Sequence, residues 1–299
     1  MKAVIAILGQ SNEQGPGPST SISSVFGAGA PCVDPIAPQG SFNSPWPHVA
    51  KLAASRGHWY AFRNHARGST ALTDLWVGRC RAYSFGMNLC PGAYVLDGGN
   101  IYKAVGTIGQ IYSLNVAPSA GVGSSGLASW TNLGAAQAGD VDGAIYAEGS
   151  ARFDPNGLIA AINTDLAAQV GYDRKAVFVS IGQSDKTVVS TSAQYNAAMQ
   201  AVANYFKARG IYVFLGFTCY AASVDAWYTS DLIPGRDAAL SAQAGPLVMA
   251  GANLRTALGV LATTPATGAG LQADAIHMNA DAMLAAGRAW DTQLSSLGW

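Results

Sequence analysis

Three residues near the two ends of the chain have the side-chain types of a nucleophilic site. Ser11 follows an apolar run from Ala3 to Leu8, and Asp274 precedes His277 by three residues. A serine hydroxyl attacks a carbonyl carbon only when a base accepts its proton, and a carboxylate commonly holds that base in the required tautomer. These residue types therefore indicate nucleophilic catalysis, with Ser11 as nucleophile, His277 as base and Asp274 as its orienting carboxylate.

Three polar clusters follow apolar runs that the sequence predicts as strands. The first polar cluster is Gly9-Gln10-Ser11-Asn12, the second is Arg67-Gly68-Ser69-Thr70, and the third is Gly182-Gln183-Ser184-Asp185. In an open parallel sheet, ligands bind beyond the carboxyl ends of the strands. We therefore expect the three clusters to meet at one edge of a sheet, where His277 can reach Ser11.

Each residue of the catalytic hypothesis also has an ordinary structural interpretation. Ser11 is a residue type that caps helices, and Asp274 could cap the last helix in the same way. An isolated histidine such as His277 is often simply a buried one with a satisfied hydrogen bond. His65 is a rival base, although no carboxylate lies near it in the sequence.

The remaining candidates are interpreted mainly as structural residues. Asp185 is predicted to hold the loop that follows its strand, and Gly68 could serve a tight turn, because glycine tolerates positive φ. The tryptophans near the clusters are predicted to pack in the core, with a platform for sugar rings as the alternative; they are Trp46, Trp76 and Trp227.

Helices and strands alternate along most of the chain, which favours an α/β fold with a parallel sheet and helices on both faces. The predicted strands are 3–8, 58–62, 175–181 and 211–217. The predicted helices are 46–54, a helix starting at Asp154-Pro155 and ending near Gly171, one from about 192 to 209, and one after Asn279. In the second helix, Asp154 is expected to be the N-cap and Pro155 the first helical residue.

Residues 79–136 break the alternation. The sequence Tyr94 to Ala104 contains two short strand patterns around Asp97-Gly98, a strong hairpin signal, and no helical period follows it. We therefore predict a small β module at 79–136, inserted into an α/β domain formed by 1–78 and 137–299. Nearly sixty residues without secondary structure would be unusual within one domain.

The amino-acid composition limits the classes of partner and cofactor that we expect for the chain. Lys plus Arg and Asp plus Glu number 17 each, so no overall charge attracts nucleic acid or an anionic membrane. No apolar stretch approaches the length of a membrane span. The four cysteines lack metal-site spacing, and no metal or other cofactor is predicted. A bridge between Cys80 and Cys90 stays open at this level.

The order of the motifs resembles that of the SGNH, or GDSL-like, hydrolase superfamily. The likeness rests on the three polar clusters, on Trp76 after the second, and on the late Asp274-Ala275-Ile276-His277. The Gly-Gln-Ser-Asn form of the first cluster is similar to the sialate O-acetylesterase and acetylxylan esterase branch. The resemblance covers residues 1 to about 76 and about 154 to the end.

The resemblance implies a three-layer α/β/α, flavodoxin-like fold and the hydrolysis of esters, often acetyl esters of carbohydrates. It assigns Ser11, His277 and Asp274 to the catalytic triad. It also implies an oxyanion hole formed by the backbone N–H groups of Ser11 and Gly68. Substrate contacts are expected from Gln10, Asn12, Ser69 and Trp227.

The third cluster departs from the family pattern. The superfamily often has Asn as a side-chain oxyanion donor where this chain has Ser184, and the acetylesterase branch tends to have Gln where Ile181 stands. Gln183, or else Ser184, is therefore expected to be the third donor. The departure leaves two rivals open besides the short-chain esterase: a lipase or thioesterase for longer acyl chains, and a non-catalytic adhesin or tail protein on an esterase scaffold.

The predicted β module has a second, weaker resemblance. Gly99, Asn100, Tyr102, Trp130 and Leu133 are similar to residues of small β modules in bacteriophage tail proteins and secreted carbohydrate-active enzymes. An acylated polysaccharide is thus the expected partner, with a homo-oligomer or virion assembly as a further expectation. The first apolar run is too short for a signal peptide. A virion tail protein and a cytoplasmic enzyme fit equally well.

Overall fold

The computed structural model describes residues 1–9, 32–33, 44–121, 129–140, 143–146, 157–217, 228–254 and 278–299, with the backbone alone for Cys32, Val33 and Phe217. The strands are β1 Lys2–Gly9, β2 Cys32–Val33, β3 Trp59–Asn64, β4 Cys80–Ala82, β5 Asn88–Leu89, β6 Tyr94–Asp97, β7 Asn100–Val105, β8 Tyr112–Ser113, β9 Ser129–Ala135, β10 Arg174–Ser180, β11 Tyr212–Phe217 and β12 Val248–Asn253. The α-helices are α1 Trp46–Ser55, α2 Leu158–Ala168, α3 Gln183–Thr187, α4 Ser192–Lys207, α5 Ile233–Ala242 and α6 Ala280–Ser296. Residues Leu72–Trp76 and Tyr228–Leu232 form π-helical turns, and Pro118–Ala120 form a short 3₁₀ helix.

The protein has a mixed α/β fold with a parallel sheet in the order β12-β11-β10-β1-β3-β2. The chain places β3 on one side of β1 and later adds β10, β11 and β12 on the other side. The direction in which strands are added therefore reverses at β1. As a result, the carboxyl ends of β3, β1 and β10 lie side by side.

The central strand is buried because its two faces are both covered by helices. Residues Ala3 to Leu8 are completely inaccessible to solvent, as expected for an apolar run inside a parallel sheet. On one face, Trp46 of α1 packs against Phe62 and Phe178, and Trp290 of α6 stacks on Phe178 at 4.4 Å between ring centroids.

The opposite face of the sheet is covered by α2. Arg63 of β3 forms an ion pair with Asp165 of α2, and Lys175 of β10 donates to the carbonyl oxygen of Leu166. These contacts confirm the expected α/β architecture with helices on both faces. The strand bounds agree with the predicted ones to within one or two residues.

Most of the predicted helix ends are confirmed, and one is wrong. The Asn279 side chain accepts from the Ala282 amide as the N-cap of α6, and Pro47 lies in the first turn of α1. Helix α2, however, begins at Leu158 with Gly157 as its N-cap, at φ +65°. A residue in this left-handed conformation interrupts a helix, so the helix cannot run back through it to the predicted start at Asp154 and Pro155. Those two residues lie outside the described part of the chain.

A second sheet follows the π-helical turn, in the order β4-β6-β7-β9, and β5 pairs with β8. The predicted hairpin is present, but its turn lies one residue later than the predicted Asp97-Gly98. Strands β6 and β7 are antiparallel, Asp97 pairs with Asn100, and the turn residues are Gly98 and Gly99, at φ +53° and +79°. Two positive φ values are what a two-residue type I′ turn requires. These strands fall within the predicted β module, whose independence as a domain stays a prediction. Ile145, beyond the predicted boundary, also pairs with Arg79.

The cysteines of this region are not bridged. Cys80 and Cys90 are both buried and form no disulfide, so the bridge that the sequence left open is absent. Burial raises the pKa of the Cys90 thiol well above its usual value. Among the described helices, none combines the length and apolar character needed to cross a membrane.

Candidate functional site

Six of the residues that the sequence singles out lie outside the described part of the chain. They are Gln10, Ser11, Asn12, Trp227, Asp274 and His277. The structure does describe the residues adjoining two of these segments: Gly9 is the buried last residue of β1, and Met278 is fully buried. The triad geometry therefore stays a prediction, and the described part of the site consists of the strand ends around it.

The second polar cluster runs beside the end of β1. The backbone N–H of Arg67 donates to the carbonyl oxygen of Gly9 at 3.0 Å, and the Thr70 hydroxyl donates to the carbonyl oxygen of Arg67 at 2.7 Å. The left-handed residue of this turn is Ser69, at φ +50°. Gly68 does not have a positive φ. The backbone conformation of this turn therefore does not require a glycine at position 68.

The third polar cluster begins at a glycine that no other residue can replace easily. Gly182 lies at φ +147°, and a Cβ atom there would clash with the Leu232 side chain and lie 3.0 Å from the Tyr195 hydroxyl oxygen. That hydroxyl donates to the carbonyl oxygen of Ile181 at 2.6 Å. The loop after β10 is therefore held tightly in place, directly beside β1, because Ser180 pairs with Gly9.

Asp185 joins the loop after β10 to the segment that follows the second cluster. Its carboxylate accepts hydrogen bonds from the backbone N–H groups of Leu72 and Thr73, at 2.9 and 3.0 Å, and from the hydroxyls of Thr73 and Ser190. The side chain is fully buried, and this burial raises its pKa to about 6. These contacts confirm the structural interpretation of Asp185.

The two candidates for a third oxyanion donor occupy the start of the short helix α3. Ser184 is buried, with 8% of its surface exposed, whereas Gln183 is half-buried. An amide side chain at the surface of the loop can donate to a bound ligand, whereas a buried hydroxyl needs an opening to do so. The geometry thus favours Gln183 of the two, and its role stays a prediction.

His65 has a carboxylate partner that the sequence did not reveal. Its Nε2 lies 2.9 Å from Oδ2 of Asp165, whose carboxylate also accepts hydrogen bonds from Nε and Nη2 of Arg63. Burial lowers the pKa of His65, although the contact with Asp165 opposes this change. Burial alone would raise the pKa of Asp165, but its bonds with Arg63 and His65 outweigh that effect and lower it. A neutral His65 with an oriented ring is thus a credible rival base.

Asp165, Thr73 and Ser190 escaped the sequence analysis for the same reason. Each takes part in a contact over a long separation in the sequence: 100 residues between His65 and Asp165, 112 between Thr73 and Asp185, and 117 between Ser190 and Thr73. Asp165 also lies within an unremarkable helical pattern, where nothing marks it as a partner. Trp46 and Trp76 are buried, which confirms their core assignment.

Two loops that connect the β strands after residue 79 contact the second cluster. In the loop after β7, a Cβ atom at Gly109 would lie 3.3 Å from the carbonyl oxygen of Gly68, so the two backbones pack closely. Directly after β5, the thiol of Cys90 contacts the carbonyl oxygen of Ser69 at 3.7 Å. The loops between these strands are therefore packed directly against the segment that carries Gly68.

The described strand ends form a candidate active site for a nucleophile at residue 11. No group of three or more potential metal ligands occurs within the described ranges. Models of protein families, curated protein sequences and solved structures provide no match for this chain. The functional assignment therefore depends on the residues and their placement alone.

Proposed function

We propose that the protein is a serine esterase of the SGNH type that removes acetyl or other short acyl groups from a polysaccharide. Ser11 attacks the ester carbonyl carbon, His277 accepts the hydroxyl proton, and Asp274 orients the imidazole. The alcohol leaves with that proton, and His277 then activates water to release the acyl group from Ser11.

One observation carries this proposal. The three polar clusters follow β1, β3 and β10, and the carboxyl ends of these strands lie side by side in the sheet. The order of β1, β3, β10, β11 and β12 resembles that of a flavodoxin-like sheet, and in such sheets the ligand crevice lies where the direction of strand addition reverses. Here the reversal occurs at β1, directly before Ser11. The bond from Arg67 to Gly9 also brings Gly68 next to the first cluster, which supports its role as an oxyanion donor.

Replacement of the nucleophile tests the proposal. We expect Ser11→Ala to lower the turnover of p-nitrophenyl acetate by several orders of magnitude, up to about 10⁶. Ser55→Ala, which changes an exposed serine at the end of α1, should leave turnover unchanged. Equal turnover by the wild type and Ser11→Ala would refute the assignment.

The identity of the base is tested by two histidine variants. A neutral His277 is required for catalysis, so kcat/KM should fall on the acid side with an apparent pKa of about 6–7. We expect His277→Gln to abolish this activity and His65→Gln to retain most of it. The reverse pattern would transfer the role of base to His65 and Asp165.

One observation favours a second candidate, a non-catalytic adhesin or tail protein on the same scaffold. The position where the superfamily has its donor asparagine holds Ser184, which is buried. A serine-reactive fluorophosphonate separates the two candidates, because an inert scaffold would not be labelled at Ser11. A lipase or thioesterase would instead prefer long nitrophenyl esters over the acetate.

The polysaccharide substrate and a role in a bacteriophage tail belong to the same proposal. They are supported by the contact between the loops of these β strands and the Gly68 segment, because an adjoining β module can contribute to substrate binding. Release of acetate from a panel of acetylated bacterial and plant polysaccharides would identify the substrate. Equal inactivity on every member of the panel would leave the carbohydrate assignment without support.

A further inference from the structure

An open cleft of about 450 Å³ lies between the second sheet and the parallel-sheet part of the fold. One wall is the loop from Ala82 to Asn88, which connects β4 and β5. The other wall is the turn from Val189 to Thr191, which leads into α4, and Arg79 and Arg81 line the cleft between them. Its volume falls within the range of roughly 300–1,000 Å³ that is usual for small-ligand sites.

The two walls are held in fixed positions by one side chain. Arg81 donates from Nη1 to the carbonyl oxygen of Val188 at 2.9 Å, and from Nη2 to that of Asn88 at 2.6 Å. It thereby connects both walls. Behind it, the fully buried Arg79 donates to the carbonyl oxygen of Val189 at 3.1 Å and pairs with Asp74. A cleft with rigid walls loses little conformational entropy when a ligand binds.

Each wall presents an apolar side chain to solvent. Phe85 is 76% exposed and Val189 is 74% exposed. Phe85 lies on a tight turn, since the Met87 amide donates to the carbonyl oxygen of Ser84 and the Gly86 amide donates to that of Leu114. Val189 has φ +53°, a strained conformation for a β-branched residue, and such strain concentrates at functional sites.

The chemistry of the lining selects one class of ligand. A pyranose ring has apolar C–H faces, which suit an exposed aromatic ring, and a rim of hydroxyls, which suits polar side chains such as Ser84, Asn88 and Thr191. Two of the described lining residues are arginines and none is acidic. Among the ion pairs between described residues, Arg79 and Arg81 share one carboxylate, that of Asp74, so a negatively charged ligand is favoured.

We propose that this cleft binds an acidic saccharide, with Phe85 stacking on a sugar ring and Arg81 attracting its carboxylate. None of the described residues that line the cleft belongs to the three polar clusters, so the inference goes beyond the proposed esterase activity and does not depend on it. It gives the protein a second means of holding a charged polysaccharide.

Calorimetric titration of the full chain as the Ser11→Ala variant tests this inference independently of esterase activity. The probe is a tetrasaccharide of alternating glucuronic acid and N-acetylglucosamine, with the neutral N-acetylglucosamine tetrasaccharide for comparison. We expect the acidic probe to bind more tightly, and to bind more weakly when salt is raised from about 50 to about 500 mM.

The variant Phe85→Ala should weaken binding of the acidic probe by about tenfold, because stacking on the ring is lost. The Phe85 side chain of the wild type is mostly exposed, so we expect Phe85→Ala to keep the native fold. Trp59→Ala is the matched control, since Trp59 is another exposed aromatic residue, 47% accessible, that does not line this cleft. Absence of binding, equal binding of both tetrasaccharides, or an equal effect of the two aromatic variants would overturn the proposal.

Discussion

Asp185 is the residue whose protonation we expect to affect stability most clearly. Burial raises its pKa in the folded protein to about 6, from the 3.8 that is usual for an aspartate. The folded state therefore binds the proton more tightly than the unfolded chain does. Above about pH 6 the buried carboxylate is ionised, and its ionisation lowers the free energy of unfolding. This loss of stability disappears as the pH falls below about 4, because the carboxyl group is then protonated in both the folded and the unfolded protein.

We therefore expect the wild type to gain about 3 kcal/mol of stability relative to Asp185→Asn between about pH 7 and about pH 4, from a shift of roughly two units. Urea unfolding of both proteins across this range measures the difference. Asp173→Asn, at the exposed amino edge of the sheet, should follow the wild type. A constant difference between the wild type and Asp185→Asn would contradict the assigned shift.

Val189 offers a second test at the scale of one residue. Left-handed backbone at a β-branched residue is strained by about 1–3 kcal/mol, and glycine removes this strain at an entropic cost of about 0.5–1 kcal/mol. Because the side chain is mostly exposed, we expect Val189→Gly to stabilise the protein by about 1 kcal/mol in chemical unfolding. Val170→Gly, at another exposed valine, should destabilise it.

Among the secondary-structure elements, α6 connects the fold most directly to the proposed base. Its N-cap Asn279, whose side chain accepts from the Ala282 amide at 3.0 Å, stands two residues after His277. We expect Asn279→Ala to lower stability by about 1 kcal/mol and to reduce kcat/KM, since the first turn of α6 would no longer be fixed. Asn279→Asp keeps the acceptor oxygen and should restore both quantities. A variant with lower stability and unchanged kinetics would argue against a role for this segment in catalysis.

The elements also show which features local sequence can predict. The strands, the β6-β7 hairpin and the Asn279 cap follow from short-range rules of burial and backbone conformation. The exact turn residues did not follow, because Asp97 pairs with Asn100 and the turn is Gly98-Gly99. The predicted start of α2 is wrong, because a capping signal at Asp154 does not determine the conformation of Gly157. The pairing of His65 with Asp165 could not be predicted, because it depends on how α2 packs across the sheet. Similarly, the sequence marked Asp185 as structural but could not give its partners in the π-helical turn.

At the scale of the whole molecule, one buried charge cluster joins the two sheets. Asp74 follows the second polar cluster, and its carboxylate pairs with Arg79 and Arg81 and accepts from the backbone N–H of Cys90 at 3.0 Å. The side chains of Asp74 and Arg79 are completely buried. The cluster therefore lies where the strands that begin at residue 80 meet the rest of the chain, and it also supports the cleft.

Among the described ion pairs, Asp74 is the only carboxylate that pairs with Arg79 and Arg81. Its removal should therefore destabilise both sheets together. We expect Asp74→Asn to lower the free energy of unfolding by about 3–5 kcal/mol, because Arg79 would keep its charge in a buried position without a partner carboxylate. Hydrogen exchange should then accelerate both in β6 and β7 and in β10. Asp237→Asn, which removes a carboxylate that is 55% exposed and pairs with Arg236, should change stability by less than about 1 kcal/mol. Faster exchange confined to β6 and β7 would show instead that the second sheet unfolds independently, as a separate domain would.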